Sequence, residues 1–257
     1  MSVTLKEGCH VAGLREGEPE VHGPLRIWRR FGRATGASAL SLRIIEIAPG
    51  LSPGIRNADC DEVLFVLRGR GTVSLDGHAF GIGPEEGIHL RPGVTLALEN
   101  PGPHPVTLAG ARCPDGAPSA ILEAVRVRPE EVASAPPPDL FARLVDRPSE
   151  VASDGRSYQV VIDASGFGAP VTQFVGSIPT GRAPDHFHEY EEVLVVLEGS
   201  GRMWADREST PIGPGSCVFL PRRQVHCVEN LEEGRLRLLG VFYPSGSPAA
   251  AKRSKTG

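Results

Sequence analysis

Two stretches of the chain decide the fold: Glu62-Val-Leu-Phe-Val-Leu-Arg-Gly69 and Glu192-Val-Leu-Val-Val-Leu-Glu-Gly199. They superpose when 130 is added to the residue numbers of the first. The same offset holds without a gap from Ile44 to Asn100, where 15 of 57 positions are identical to their counterparts. A fixed offset of this kind indicates two copies of one structural unit.

Each copy is predicted to be built of β-strands. Apolar runs such as Val63–Leu67 and Val193–Leu197 have the length of a strand and are bounded by glycine and proline. The 257 residues include 31 glycines and 24 prolines, too many helix breakers for a helical bundle. Strands separated by such turns every 8 to 12 residues favour an all-β sandwich or barrel.

Composition also limits the partners of the protein. The formal net charge is -4 and only 5% of the residues are aromatic, so neither a basic stripe nor stacking side chains point to nucleic acid. No apolar run approaches the length of a membrane span, and the first residues lack a signal-peptide core, so we expect a cytoplasmic protein. The five cysteines are scattered and form no CxxC pair, which argues against disulfides and a zinc knuckle.

The repeat predicts the division of the chain into domains. We expect a first barrel in residues 1–127, a proline-rich linker in 128–145, a second barrel in 146–244 and a flexible tail in 245–257. The linker contains Pro136-Pro137-Pro138, with short helices predicted on either side at Glu130–Ser134 and Asp139–Val145. The tail is small, polar and basic, as frayed chain ends are.

Candidate metal ligands occur together in the second copy. His186 and His188 are two residues apart on an extended segment, so their imidazoles leave the same face. A turn can bring Glu192 onto the adjacent strand, and His226 comes from a separate hairpin. Three imidazoles and one carboxylate make a site for a first-row transition metal and leave two octahedral positions open for substrate or dioxygen. Glu189 and Glu191 are interpreted as solvated turn residues.

The spacing of these residues resembles the cupin family. Its first motif, G-x5-HxH-x3,4-E-x6-G, corresponds to Gly181–Gly199 with one residue fewer before His186. Its second motif corresponds to Gly215–Asn230, with Arg223 where the family often has glycine. The resemblance implies two tandem cupin barrels, each a double-stranded β-helix or jelly roll, and a metal held by His186, His188, Glu192 and His226.

The first copy lacks this set of ligands. At the offset of 130, arginine, alanine and leucine replace the three histidines, and only the glutamate survives; the residues are Arg56, Ala58, Leu96 and Glu62. One carboxylate does not hold a metal, so we predict one metal ion per chain. Glu62 is expected to pair with Arg56 on the inner face.

We therefore expect a metalloenzyme that acts on a small organic molecule by dioxygenase-, isomerase- or cyclase-type chemistry. The metal is expected to be Mn or Fe, with Ni or Zn as further possibilities, and Glu192 is the candidate for moving a proton. Other side chains flank the motifs and are candidates for supporting contacts: Gln173, Arg182, Tyr190, Arg202, Trp204 and Gln224. Cys227 follows a ligand in a strand, so its side chain is expected to point away from the metal.

Two other functions stay open at this stage. One is a non-catalytic bicupin that binds or senses a small molecule. The other is suggested by similarity in layout to the ureidoglycine aminohydrolases, although that family has Glu, His and Gln at the places of His186, Glu192 and His226. A homodimer is expected, because open barrels expose sheet edges that natural proteins cover.

Overall fold

The computed structural model describes residues 2–123, 132–133, 135–152, 154–249 and the backbone of 252–253. Strands form most of this part of the chain, as predicted. In chain order, the strands before the proline-rich segment are β1 (Val3–Thr4), β2 (His10–Gly13), β3 (Glu20–His22), β4 (Leu25–Phe31), β5 (Ser41–Ile47), β6 (Gly50–Leu51), β7 (Gly54–Arg56), β8 (Asp61–Arg68), β9 (Gly71–Leu75), β10 (His78–Ile82), β11 (Glu86–Leu90), β12 (Thr95–Asn100), β13 (Val106–Cys113) and β14 (Ala120–Leu122).

The remaining strands are β15 (Val132–Ala133), β16 (Phe141–Arg143), β17 (Glu150–Val151), β18 (Ser157–Ile162), β19 (Thr172–Ile178), β20 (Gly181–Arg182), β21 (His186–Phe187), β22 (Glu191–Glu198), β23 (Gly201–Ala205), β24 (Glu208–Ile212), β25 (Ser216–Leu220), β26 (His226–Asn230), β27 (Leu236–Tyr243) and β28 (Lys252–Arg253). The helical elements within the described ranges are one turn of α-helix, α1 (Ala164–Phe167), and 3₁₀ turns at Lys6–Gly8, Arg33–Thr35 and Leu144–Asp146. Among the described residues, no helix is both long and apolar enough to span a membrane.

Each half of the chain forms a barrel from a large and a small sheet. In the first barrel the large sheet has the order β16-β11-β8-β13-β5-β4-β3, and the small sheet has the order β14-β7-β12-β9-β10-β15 with β6 beside β12. In the second barrel the large sheet is β1-β2-β25-β22-β27-β19-β18-β17, and the small one is β24-β23-β26-β21-β28 with β20 beside β26. The sequence prediction of two all-β barrels is confirmed.

Turn chemistry sets the register of the strands. In the first barrel, β9 and β10 are joined by Asp76-Gly77, and both residues have positive φ. A two-residue turn of this kind matches the right-handed twist of the flanking strands, and Asp-Gly is among the sequences that adopt it most readily. The hairpin therefore follows directly from the local sequence.

The core has three parts. Alternate residues of the large sheets point into their own barrel, as Ile45 does in the first and Leu194 does in the second. The residues between them point to the opposite face, where the two large sheets pack against each other through side chains such as Phe65, Val195 and Phe219. Both faces of the large sheets are thus apolar, which explains the near-continuous hydrophobic runs in the repeated segments.

The barrels exchange strands across the predicted domain boundaries. Strand β2 belongs to the first 127 residues, yet His10–Gly13 pair antiparallel with Ser216–Phe219 of the second barrel. Conversely, β16 lies in the predicted linker and pairs with β11 of the first barrel. The repeat showed where the two units lie but gave no sign of this exchange.

The linker differs from its prediction. The helix predicted at Asp139–Val145 is wrong: Phe141–Arg143 form an edge strand, and only a 3₁₀ turn follows it. Pairing with β11 satisfies the backbone of this segment without a helix. Of the helix predicted at Glu130–Ser134, Val132–Ala133 form a strand instead, and the remainder lies outside the described residues.

Part of the predicted tail is packed against the second barrel. The Thr172 hydroxyl donates to the Gly246 carbonyl at 2.8 Å and accepts from the Gly246 amide at 2.9 Å. The backbone of β28 pairs with β21, opposite His186 and Phe187. This part of the chain end therefore covers the second barrel on the side of the predicted metal site.

Candidate metal centre

The fold brings the four predicted ligands together inside the second barrel. His186 on β21 lies directly opposite His226 on β26, so the small sheet places these imidazoles side by side. His188 follows two residues later at the end of the same extended segment. Glu192 comes from the large sheet, where β22 holds it between Leu220 of β25 and Phe242 of β27. The three histidines and the glutamate thus face each other across the barrel.

The three imidazoles form a compact group. One nitrogen from each of His186, His188 and His226 lies within 4.8 Å of the others, a spacing that can hold a metal ion. The ring centroids are 4.4 Å apart for His186 and His226, and 5.1 Å apart for the other two pairs. Glu192 stands at the side of this group, with its Oε2 3.6 Å from His188 Nε2.

Hydrogen bonds fix which nitrogen of two rings faces the centre. His186 Nδ1 lies 2.9 Å from the Pro184 carbonyl oxygen, and His226 Nδ1 lies 2.8 Å from that of Gln224. A carbonyl oxygen only accepts, so both Nδ1 atoms carry the proton and both Nε2 atoms keep a free lone pair. The buried His188 Nδ1 has no hydrogen-bond partner among the described residues. Imidazoles oriented by backbone carbonyls are typical of metal sites.

Burial determines the charge of these groups when no cation is present. It lowers the pKa of His188 to about 3, and it lowers the pKa values of His186 and His226 as well, with smaller contributions from neighbouring positive charge. Burial also raises the pKa of Glu192 to about 8. Three neutral imidazoles with available lone pairs, beside one carboxyl that a cation would deprotonate, suit a divalent metal ion. The donor set therefore fits the predicted metal.

A cavity of about 200 Å³ opens next to the imidazoles. Its wall is largely apolar, and the side chains with polar groups are one arginine, two serines, one tyrosine and the candidate ligands. The side chains besides the ligands are Ala152, Arg156, Ser157, Tyr158, Phe174, Ser177, Ile178, Ala183, Pro184, Leu194, Val228, Leu238, Pro248 and Ala249. A small organic molecule that enters this space would lie beside the three histidines.

Sequence reasoning missed several of these wall residues. Arg156 and Tyr158 precede the first motif by 25 and 23 positions, and Pro248 and Ala249 belong to the segment that the sequence indicated as a frayed end. Only the pairing of β18 with β19 brings the first two to the site. No spacing in the sequence could have indicated them.

The six flanking candidates lie outside the cavity wall. Tyr190 supports a ligand, because its ring stacks on His188 with centroids 4.7 Å apart. Gln224 orients His226 through its backbone carbonyl. On the outer surface of the barrel, Arg182 lies over the Trp204 ring at 4.2 Å, and Arg202 lies at 5.9 Å. The sixth candidate, Gln173, is buried and points towards Gly87 of the first barrel.

Glu191 is not the solvated turn residue that the sequence suggested. It is buried, and its carboxylate accepts hydrogen bonds from the backbone amides of Ser38 and Ala39 and from the Ser38 hydroxyl, at 2.6 to 3.0 Å. The residue next to the candidate ligand Glu192 thus links the second barrel to the first. Cys227 agrees with expectation: it is buried on the other face of β26, where Arg182 Nε donates to its sulfur.

The corresponding place in the first barrel is filled by protein. Glu62 pairs with Arg43, whose Nε and Nη2 lie 2.7 and 2.5 Å from its two oxygens, and it also accepts from Asn57 Nδ2 at 2.8 Å. The predicted pair of Glu62 with Arg56 is wrong, because Arg56 is exposed and donates to Thr95 Oγ1.

The reason is a slip of one residue in the repeat. Strand pairing places Ile55 opposite Leu96, as His186 is opposite His226, so the structural offset before the glutamate is 131. By the same offset Asn57 stands at the place of His188. The first copy has four residues between this position and its glutamate, whereas the second has three.

Comparison with known proteins agrees with this architecture. Residues 174–242 match the family model described as "Cupin domain". A 75-residue stretch is 31% identical to an uncharacterized protein of Aquifex aeolicus and covers 29% of this chain and 61% of that protein. Another of 64 residues is 34% identical to quercetin 2,3-dioxygenase of Bacillus subtilis, over 24% of this chain and 19% of the enzyme. These matches span less than two thirds of either relative.

The fold as a whole is also found among solved structures. A variant of Bacillus subtilis oxalate decarboxylase superposes with a TM-score of 0.72 over 95% of this chain and 78% of the other, at 12% identity. The family match lies in the second barrel, and this likeness shows that the chain as a whole has the fold of two cupin-type barrels in tandem.

Proposed function

We propose that the protein is a metal-dependent enzyme that converts a small organic molecule in its second barrel. The observation that carries the proposal is the meeting of three buried imidazoles, each with a nitrogen available to a metal, at the wall of an apolar cavity. A cavity of about 200 Å³ suits a small substrate, and its position lets that substrate approach the metal directly.

His186, His188, His226 and Glu192 are the proposed ligands, and Mn or Fe is the proposed ion. When bound, such a metal supplies Lewis acidity and sites for oxygen ligands or dioxygen. The protein holds two of the imidazoles in a fixed tautomer through Pro184 and Gln224. Apolar side chains around the cavity exclude water, which strengthens the electrostatic interactions within it.

Glu192 has a second proposed role. Its carboxyl is buried, and its pKa is raised to about 8 when no cation is bound, so the carboxylate can take up a proton near neutral pH when it detaches from the metal. A carboxyl at the cavity wall that can hold or release a proton suits enolisation, isomerisation or oxygenation of a bound substrate. Among these, we propose dioxygenation first, supported by the similarity of one segment to quercetin 2,3-dioxygenase.

The test is to strip the protein of metal, reload it separately with Mn, Fe, Ni or Zn, and measure oxygen uptake with catechols, quinols and 2-oxo acids. NMR of the same mixtures detects products, and a product that forms without oxygen uptake would indicate isomerisation or cyclisation. Glu192→Gln and His188→Ala should lose turnover, whereas Glu189→Gln, at a more exposed glutamate of the same barrel, should retain it. Binding of small molecules without turnover under every metal would indicate a non-catalytic bicupin.

A further inference from the structure

A separate cavity, of about 260 Å³, lies beside strands β4, β5 and β13 of the first barrel. It opens where the connection between β4 and β5 meets the segment after β13. Its wall contains five arginines and one aspartate: Arg29, Arg30, Arg33, Arg43, Arg112 and Asp115. None of these residues lines the cavity beside the imidazoles, so this is a different candidate site.

Two of the five arginines are neutralised by carboxylates. Arg43 contacts both oxygens of the buried Glu62, and Arg29 Nη2 lies 2.9 Å from Glu20 Oε2. These two pairs contribute no net charge to the cavity.

The other three arginines donate to backbone carbonyl oxygens, which carry no formal charge. Arg30 Nη1 and Arg33 Nη2 each donate at 3.1 Å, and Arg112 Nη2 donates to the Ala117 carbonyl. Asp115 is the only carboxylate on the described wall, and its Oδ1 lies 3.9 Å from Arg112 Nη1, beyond hydrogen-bonding distance. Five arginines thus stand against three carboxylates, which leaves an excess of two positive charges.

Two buried donors of the wall have no hydrogen-bond partner among the described residues. Ser41 is 8% exposed, and its hydroxyl makes no hydrogen bond to that part of the chain. Arg112 is 2% exposed, and its Nε is unpartnered as well. Strand pairing places the two residues directly opposite each other on β5 and β13, so their side chains leave the same face of the sheet. Buried polar groups without partners are uncommon, and acceptor oxygens of a ligand would satisfy both.

The equivalent place in the second barrel is closed by the chain itself. Thr172 and Phe242 pair there as Ser41 and Arg112 do in the first barrel. The Thr172 hydroxyl is satisfied by the backbone of Gly246, to which it donates and from which it accepts. The first barrel has a cation in place of the phenylalanine and a hydroxyl without a protein partner. The difference between the two copies therefore points to a ligand in the first.

We propose that this cavity binds a phosphate group, either as the free ion or as the monoester of a small molecule. The group carries a charge of about −1.5 to −2 near neutral pH, which matches the two excess positive charges. Guanidinium groups bind phosphate oxygens through charge-assisted hydrogen bonds, and hydroxyls donate to them as well. Ser41 and Arg112 are the proposed buried donors, and Arg33 is the proposed donor at the exposed edge of the cavity.

Asp115 weakens the proposed site without blocking it. Its side chain is 15% exposed, and its Oδ2 accepts from the Arg33 amide at 3.0 Å, which holds the carboxylate at the start of the β4–β5 connection. Its charge opposes a phosphate near Arg112. Asp115→Asn keeps an oxygen for the Arg33 amide but removes the negative charge, so this change should tighten phosphate binding.

The test is calorimetric titration of the whole chain in a chloride buffer free of phosphate and sulfate. A chelator removes metal beforehand, so that no ion in the second barrel can hold the anion. Wild type should bind inorganic phosphate or phenyl phosphate at least about tenfold more tightly than acetate, which offsets only one of the two charges. Tighter binding of the ester would identify a monoester as the ligand, and tighter binding of inorganic phosphate would identify the free ion.

Variants locate the binding site. Ser41→Ala and Arg33→Gln should each weaken phosphate binding about tenfold. Ser41→Ala should leave the thermal midpoint unchanged, because its hydroxyl has no partner in the described chain. Thr172→Val, the matched change in the second barrel, should do the reverse: it should lower the midpoint and leave phosphate binding unchanged. Arg91→Gln, at an exposed arginine of the first barrel, is the control for loss of positive charge and should not alter binding.

Three results would overturn the inference. The first is that wild type binds neither inorganic phosphate nor the ester. The second is that acetate binds as tightly as phosphate. The third is that phosphate binds equally to wild type, Ser41→Ala and Arg33→Gln, which would place the anion elsewhere on the protein.

Discussion

Arg43 and Glu62 form an ion pair inside the first barrel at the place where the second barrel gathers its imidazoles around Glu192. Their side chains are only 3% and 0% exposed, and the guanidinium contacts both carboxylate oxygens. Asn57, at the structural position of His188, completes the group through a hydrogen bond to Glu62. The first barrel thus satisfies its inward carboxylate with a covalently attached cation, where the second is proposed to use a metal ion.

Breaking this pair should destabilise the protein strongly. Glu62→Met leaves the buried Arg43 without its counter-ion, and Arg43→Met leaves Glu62 without its cation, so each should lower the free energy of unfolding by about 3–5 kcal/mol. The double variant removes both charges and should cost clearly less than the two changes added together. Urea unfolding of the four proteins measures this coupling. Strict additivity would show that the two charges do not depend on each other.

Metal content should be about one ion per chain, because the donor cluster found among the described residues lies in the second barrel. His188→Ala should lower the occupancy several-fold, whereas Glu189→Gln, at a more exposed glutamate, should leave it unchanged. Elemental analysis of protein purified and dialysed in parallel provides the measurement. Two ions in wild type, with one retained by His188→Ala, would place a second site in the first barrel.

His226→Ala should reduce metal occupancy and activity without unfolding the protein. The strands of the second barrel bury apolar side chains such as Val218 and Leu238 independently of the metal, and the first barrel folds around an ion pair instead. Thermal midpoints of the variant and of metal-free wild type should therefore agree within a few degrees. Global unfolding of the variant would mean that the fold of the second barrel depends on the bound metal.

Glu191→Ala should loosen the contact between the barrels. The substitution leaves the Ser38 and Ala39 amides without their acceptor, and hydrogen bonds to a charged group contribute about 1.5–3 kcal/mol. We expect a loss of about 3 kcal/mol, which corresponds to a fall in Tm of roughly 6–12 °C for a chain of this size. Glu189→Ala is the control, because Glu189 is more exposed and pairs with the exposed Arg223. An equal fall in Tm for the Glu191→Ala and Glu189→Ala variants would contradict the prediction.

The cysteines should resist labelling in the folded protein. All five are buried and free, and burial raises the pKa of Cys9, Cys113 and Cys217 to about 12 and that of Cys227 to about 11. At neutral pH the reactive thiolate is therefore a minute fraction of each of these four groups. A thiol reagent should titrate no cysteine in the native state and five in denaturant. Rapid reaction of Cys227 would reveal an open strand beside His226.

The sequence predicted the fold and the candidate site best in the segments that contain the repeat and the two motifs. Apolar runs and turn residues predicted two barrels, and the spacing of His186, His188 and His226 predicted a cluster that the structure assembles. The surroundings of two residues were predicted wrongly, because they depend on contacts with residues distant in sequence. Glu191 is buried by residues of the first barrel, and Glu62 forms an ion pair with Arg43 of another strand. The domain boundaries, the homodimer and the cytoplasmic location stay predictions.

The one-residue slip between the copies also limits what alignment could show. A gapless offset of 130 equates His188 with Ala58, whereas strand pairing equates it with Asn57. The difference lies in a loop of four residues in one copy and three in the other, where an insertion is tolerated without disturbing the flanking strands. Sequence identity is too low there to locate it.

The strand exchange has a consequence for synthesis of the protein. β2 leaves the ribosome well before its partner β25, which is made more than two hundred residues later. Until then the large sheet of the second barrel lacks β25, and the edge of His10–Gly13 that pairs with this strand is unpaired. Contacts this distant along the chain slow folding and leave a nascent chain open to wrong pairings. β2 can therefore join the metal-binding barrel only after β25 has been synthesised, although it precedes every other strand of that barrel except β1.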